Sequence, residues 1–541
     1  MQQEHLIRKG RLALAAARGV ARGVTFGGVE ILRGLSAPVR DRQWGTYATS
    51  IDHELAETSH YRCAFSHAHG LFNGQIVIEL VSERRLTAQL SLTFAAVAEI
   101  NRAGFCLLHP IENIRGSPVT IRHSNGTDED AVFPRSISPG QPARDIVALT
   151  HRVGPVSVHI ALGGEVFEME DQRNWSDASF KTYCRPLSAP KPFRVAAGET
   201  LRQSVVLDIL DFADPDIGTA KAITAETAMP QITLAYEADL CSARALDHFT
   251  DVPVLARITP AAEESDLALL AARRDVALEV VFEKLSDIDA VAQRCTSAGL
   301  RPIRVAALPA SYLKSHQPEG PWPPGPQPDD GLPRLGRAFP GVPAGGGSLT
   351  YFAEFNRCPP GEGAAFLTFG NTAIVHAADD ASVMQTLEAL PDLFASAQGL
   401  RPGRPLHLGL FSIGMRSNPY GADVQGNPGG EPIPMARWDK RQNEDFAAAY
   451  AIGVVAEAAR AGVQSLALAM PDGELGAEGR PIGQVIAALA PHAGQPVSVT
   501  VDSGLYRLQV GQIELVANLS PALRQIDRLA PASFRIVEHP Q

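Results

Sequence analysis

At 541 residues, 45% hydrophobic and 20% charged, the chain is long enough for two or three domains with full cores and too mixed for a disordered or fibrous protein. A formal net charge of −11 with no clustered basic face excludes a nucleic-acid partner, since phosphate binding needs such a face. The six cysteines (Cys63, Cys106, Cys184, Cys241, Cys295, Cys358) show neither CxxC nor metal-ligand spacing, which suits free thiols in a reducing cytoplasm better than a disulfide framework.

Near the start, Arg8-Lys9 precede the apolar run Leu12–Ala17. Arg18 and Arg22 hold that run to about six residues, short of the roughly 7–15 of a secretory core. No stretch approaches the roughly 20 apolar residues of a membrane span. The expectation is a cytoplasmic protein with no membrane partner. From Val24 to Leu210 short alternating runs such as Phe72–Leu80, Leu86–Phe94 and Val156–Ile160 are separated by Gly, Pro and Asn turns, with Asn73-Gly74 a hairpin-type signal. That rhythm predicts an N-terminal β-sandwich over 1–220.

From Gln231 the period changes. Apolar strand candidates at Ile232–Tyr236, Val252–Ile258, Val276–Phe282, Pro302–Leu308, Leu349–Ala353, Phe366–Phe369, Leu406–Phe411 and Ser465–Ala469 alternate with helical patterns. The helices are expected at Leu267–Arg274, Ile288–Ala298, Ser382–Ala397 and Glu444–Ala461, with Gly299 and Gly462 as C-caps. Strands in that number over 221–480 predict a TIM-type (β/α)8 barrel, which typically needs about 250 residues. Within it, 317–347 is rich in Pro and Gly without periodicity and reads as a structureless insertion, with a lid as its expected role. A small C-terminal β domain over 481–541, packed on the barrel or on the first domain, completes the fold.

The stretch Leu349 to Pro360 carries the strongest functional signal. A β-rich opening runs into Glu354, Asn356 and Arg357, and Pro359-Pro360 fixes a loop. A second polar group, Asn371-Thr372 and then His376 to Asp380, follows the next apolar run. Polar residues at the carboxyl ends of barrel strands are how this fold builds active sites. In the N-terminal part, Phe167–Tyr183 is dense in charge. Alternation puts Glu168 and Glu170 on one face, an arrangement that suits acid–base work or a salt-bridge network with Arg173 and Lys181. His109, Glu112 and His123 lack the spacing of a metal site, and His67-x-His69 has a strand-compatible ligand spacing with no further ligand to support it. Arg416–Gly421 and Trp438–Gln442 offer groups for a polyhydroxylated ligand. Neither GxSxG, a Walker loop nor GxGxxG is present.

Together, Val39–Thr46, Glu168–Tyr183, Glu354–Arg357, Ile374–Met384 and Arg416–Gly421 resemble the D-apionate lactonase family, bacterial enzymes of D-apiose catabolism. The resemblance covers nearly the whole chain. It implies a β-sandwich, a TIM-type barrel and a small C-terminal β domain, and hydrolysis of D-apionolactone to D-apionate. For such an ester the residues suggest Glu354 as general base, with Arg357 or His376 stabilising the oxyanion or protonating the leaving hydroxyl. Asn356, Asp379, Asp380 and Asn418 are then expected to hold sugar hydroxyls, and Glu170, Asp171 and Arg173 to reach in from the β-domain. The expected partner is a small sugar lactone; no cofactor or metal site is assigned, a divalent metal stays open, and the oligomeric state is not specified. A glycoside hydrolase is the alternative, although Pro309–Ser311 and Ser412–Gly414 supply no carboxylate after strands four and seven.

Overall fold

The structure is a computed structural model that describes residues 4–213, 222–520 and 525–539. The 220/221 boundary expected from sequence lies outside the described residues. Two compact units emerge. One holds the chain up to Gln172 and from Ala178 onward to 213; the other holds Arg173–Asp177 and everything from 222.

The N-terminal unit is built from antiparallel strands, chiefly an eight-stranded and a nine-stranded sheet. Alternation is the cause: along Phe72–Ser82 every second residue from Phe72 to Leu80 is buried, leaving polar partners outside. Strands begin as early as His5–Lys9, and the apolar run Leu12–Ala17 is itself a strand with alternate residues buried. Among the described residues, no helix is long and apolar enough to cross a membrane.

In the other unit eight parallel strands close into a barrel. They are β1 (Gln231–Glu237), β2 (Val254–Ile258), β3 (Val276–Phe282), β4 (Arg304–Pro309), β5 (Ala344–Tyr351), β6 (Leu367–Thr372), β7 (His407–Ser412) and β8 (Ser465–Ala469). Between them run α1 (Glu264–Ala271), α2 (Ser286–Ala298), α3 (Gly331–Ala338), α4 (Phe352–Arg357), α5 (Asp380–Leu400) and α6 (Asp445–Arg460), and α7 (Pro481–Leu489) follows β8. A short 3₁₀ segment, Ala243–Phe249, takes the first connection.

Two expectations need correction here. The stretch 317–347 is not structureless: it contains α3, the helix that a barrel requires between β4 and β5. Its sequence GLPRLGRA conceals it, because two glycines weaken helix propensity and Pro333 is tolerated only in the first turn. Glu354 is not on a loop either, since β5 ends at Tyr351 and the chain turns at once into α4. Strand β5 also starts at Ala344, five residues earlier than read. Its glycines lower β-propensity but are required by contact: a Cβ on Gly345 would meet the Phe366 ring at 2.2 Å.

A five-stranded antiparallel sheet, Ile223–Ala228 with Pro496–Asp502, Leu505–Val510, Ile513–Asn518 and Ser533–Glu538, packs on α6. Its first strand precedes the barrel in the chain. Covered by barrel and sheet alike, α6 is buried at every position from Phe446 to Ala459, a run apolar except for Glu457, which pairs with Arg460.

Candidate active site at the carboxyl ends of strands four to seven

Helix α4 buries Phe352 through Asn356, so Glu354 enters the protein rather than solvent. It is 7% exposed; its Oε2 accepts from Thr350 Oγ1 at 3.3 Å, and Oε1 has no hydrogen-bond partner. Burial pushes its carboxyl above the usual range, while Arg357 and the hydroxyls of Ser315 and Thr350 pull the other way. A buried carboxylate with a raised pKa and an unpartnered oxygen is suited to proton transfer.

One turn on, Arg357 donates from a terminal guanidinium nitrogen to Ser315 Oγ at 2.9 Å and lies over the Trp175 ring at 5.3 Å. Glu354 and Arg357 together line an open crevice with Tyr312, Lys314, His316 and Trp322. Tyr312 and Trp322 stack with centroids 5.9 Å apart and planes 16° from parallel, an apolar wall opposite the charges. Lys314 Nζ donates to the backbone oxygens of Asn418, Gly421 and Ala422, binding the loop after β4 to the loop after β7.

The segment Arg173–Asp177 belongs to the barrel unit, and its side chains meet the site from the other side. Arg173, 0% exposed, pairs with Asp392 of α5 at 2.8 Å. Asn174 Oδ1 accepts from Asn356 Nδ2 at 2.8 Å. Ser176 holds a left-handed φ of 63° and donates from Oγ to Thr372 O at 3.2 Å. That turn sets Trp175 edge-on to His376 at 5.3 Å and Asp177 Oδ2 2.6 Å from His376 Nδ1. With the carboxylate accepting at Nδ1, the neutral imidazole presents Nε2 as a base, and the pair is 24% and 16% exposed. Trp175 thus touches both Arg357 and His376, and Tyr420 lies against the same indole at 6.4 Å.

Other expected site residues have work elsewhere. Asp379 is the N-cap of α5, accepting from Ser382 N and Oγ, and Asp380 pairs with Arg441 at 2.8 Å. The Asn418 side chain builds its own turn, accepting from the N–H of Tyr420 and Gly421 and donating to Asp423 O. Glu168 accepts from Tyr183 Oη at 2.6 Å, Glu170 pairs with Lys181, and Asp171 accepts from Ser138 N at 3.1 Å. Glu168 and Glu170 are therefore separately satisfied within the N-terminal unit, and Arg173 pairs with Asp392 instead. The candidate site is built without Glu170, Asp171, Asp379 and Asp380.

Sequence reading missed Lys314 and His316, just ahead of the presumed insertion, and Trp322 inside it. It also missed a buried ion network in the barrel mouth. There Glu279 Oε2 accepts from both Arg257 and Arg416 at 2.9 Å, and Glu237 Oε2 accepts from Arg416 at 2.7 Å. Burial works against the Glu237 charge, but Arg416 and Arg257 outweigh it and hold the carboxyl below its usual range. Both carboxylates are spoken for by arginines, a structural rather than a reactive arrangement. Among the described residues, no group of three or more His, Cys, Asp or Glu side chains gathers as a metal-ligand set.

Comparison with known proteins agrees over the N-terminal unit and the barrel. Residues 1–211 match the family model described as the D-apionate lactonase N-terminal domain, and residues 220–494 the one described as the D-apionate lactonase TIM barrel domain. A D-apionate lactonase of Brucella anthropi is 37% identical over 512 residues, covering 88% of this chain and 84% of that protein. Among solved structures, a GH36 α-galactosidase from Geobacillus stearothermophilus is 9% identical with a TM-score of 0.27, covering 95% of this chain and 92% of that one. A GalM/aldose epimerase homologue from C. elegans is 7% identical with the same TM-score, covering 39% of this chain and all of that one. Likeness at that level carries no argument about function.

Proposed function

Because the chain belongs to the D-apionate lactonase family, we propose that it hydrolyses D-apionolactone to D-apionate, opening the ring by attack of water on the lactone carbonyl. The observation that carries the siting is the crevice in which Glu354, with one oxygen unpartnered, stands beside Arg357. The lactone lies against the Tyr312–Trp322 wall with its carbonyl oxygen toward the Arg357 guanidinium. Glu354 takes a proton from the attacking water, and the negative charge that develops on the carbonyl oxygen is met by Arg357. Collapse breaks the acyl–oxygen bond of the ring, and the departing oxygen takes a proton to become a hydroxyl. His376, held by Asp177, is the second proton-handling group. Asn356 and Arg173 fix the framework: the first ties α4 to the 173–177 turn, the second ties that turn to α5.

This reading makes the partner a small sugar lactone. The scattered free cysteines, five of them buried, favour the cytoplasm as its place of action. A glycoside hydrolase is not favoured, since the family models and the Brucella anthropi relative are D-apionate lactonases, and the barrel carboxylates Glu237 and Glu279 are bound by arginine. Glu354→Gln keeps the shape of the side chain and removes the base. A loss of roughly 10²–10⁴-fold in kcat/KM is expected on D-apionolactone, and a loss under about tenfold would remove Glu354 from the role.

A further inference from the structure

One buried group beside this site is unexplained by the fold. Tyr420 sits on the loop after β7 with its hydroxyl buried; the Trp175 indole stands near enough to act on its oxygen as a donor, but among the described residues nothing accepts the phenol proton. Buried hydroxyls are nearly always satisfied, and an orphan in a folded protein needs a reason. The loop is not loose enough to supply one. Asn418 closes the Asx turn onto Tyr420 N at 2.9 Å, Ser315 N donates to Pro419 O at 3.0 Å, and Tyr351 Oη donates to Ser417 O at 2.7 Å. The phenol is thus held rigidly, with its ring against Trp175, the indole that also contacts Arg357 and His376.

A second orphan lies close by. Glu354 Oε1 is buried without a partner, and its carboxylate is near enough to act electrostatically on the phenol. Burial, first, and then Glu354 and Tyr351 raise the Tyr420 phenol well above its ordinary value, with Arg357 and Trp175 opposing. The hydroxyl therefore keeps its proton at neutral pH. A buried carboxylate oxygen without a partner and a phenol proton without an acceptor both lie within electrostatic reach of Arg357, which shares the Trp175 ring with Tyr420.

We propose that Tyr420 is a catalytic residue of the lactone hydrolysis: its hydroxyl donates to the carbonyl oxygen of the substrate and, with Arg357, stabilises the oxyanion formed when water adds. The inference rests on the proposed lactonase reading and deepens it. In the step, the water oxygen bonds to the carbonyl carbon, the carbonyl π pair moves to its oxygen, Glu354 takes the water proton, and the phenol keeps its own. Donors aimed at a position where charge develops do most of their work in the transition state, so the hydroxyl affects turnover more than binding.

The proposal separates function from folding. A donor that a structural partner used would destabilise the protein when removed; a donor that waits for substrate would not. Tyr420→Phe is therefore expected to lower kcat on D-apionolactone by roughly 10²–10³-fold, with KM within about threefold of the parent. Its thermal midpoint should be equal to or above that of the parent. A kcat within about threefold of the parent overturns the proposal. So does a lowered thermal midpoint in proportion to the lost activity, since that reveals a structural partner. Parent protein that fails to open D-apionolactone overturns the lactonase reading itself, whereas parent turnover with an undiminished Tyr420→Phe variant removes only Tyr420.

Discussion

Acid sensitivity of the N-terminal unit follows from two histidines that carry no function in this account. His109 and His151 meet ring to ring at 5.6 Å, 0% and 3% exposed, with Phe133 beside both. His109 Nε2 shares a hydrogen bond with Thr182 Oγ1 at 2.9 Å, but its Nδ1 and both nitrogens of His151 have no partner. Burial disfavours the imidazolium, taking His109 well below its ordinary value and His151 down to about 4. In the unfolded chain a histidine titrates at about 6.5. Between these values the unfolded chain binds a proton that the folded one refuses. Stability is therefore full above about pH 6.5 and is lost as pH falls toward 4. At about 1.4 kcal/mol per pH unit, His151 alone withdraws about 3 kcal/mol over that window, and His109 adds to it in the same direction. Urea midpoints measured from about pH 7.5 to about pH 4.5 test this against His151→Leu, which keeps the volume and removes the proton site. The variant should retain about 2 kcal/mol more of its neutral-pH stability at the acid end. Parent and variant falling in parallel would refute the reasoning.

Two further outcomes are expected. Arg173→Met removes the ion-pair partner of a carboxylate only 13% exposed on α5, and should cost about 3–5 kcal/mol in urea unfolding. A cost under about 1 kcal/mol would show that the 173–177 turn is not held by that pair. Asp177→Asn leaves the shape of the His376 pair but removes its charge. We expect kcat to fall by about 10–100-fold with a displaced pH profile and little change in KM; an unmoved profile would leave Asp177 a purely structural residue.

How far the chain could be read from its letters depended on period and on distance. Barrel strands were legible because buried parallel strands are continuous apolar runs: Val276–Phe282 and Ser465–Ala469 stand where they were read, and the others differ at their ends. Helix α3 was hidden by its glycines and proline, and nothing in the spacing of Lys314, His316 and Trp322 announced that they line the crevice with Glu354. Glu354, Arg357 and His376 were legible as polar residues just past apolar runs. Their partners were not, because Trp175 and Asp177 come from a segment some two hundred positions earlier that docks on the barrel. Nothing in that segment's spacing announces the docking, although its density of charge and aromatic side chains marked it. Asp379, Asp380 and Asn418, read as sugar-binding groups, are found in a cap, an ion pair and a turn. Caps, turns and ion pairs draw on the same residue types as sugar binding, and only geometry tells them apart.

The central claim is that this chain opens D-apionolactone by a reaction that depends on Glu354. Proton release from D-apionolactone, followed for the parent protein and for Glu354→Gln against the spontaneous rate, tests it most directly. The account predicts turnover well above background for the parent and a loss of roughly 10²–10⁴-fold in kcat/KM for the variant. Parent protein no faster than the spontaneous reaction, or a variant as fast as its parent, would contradict it.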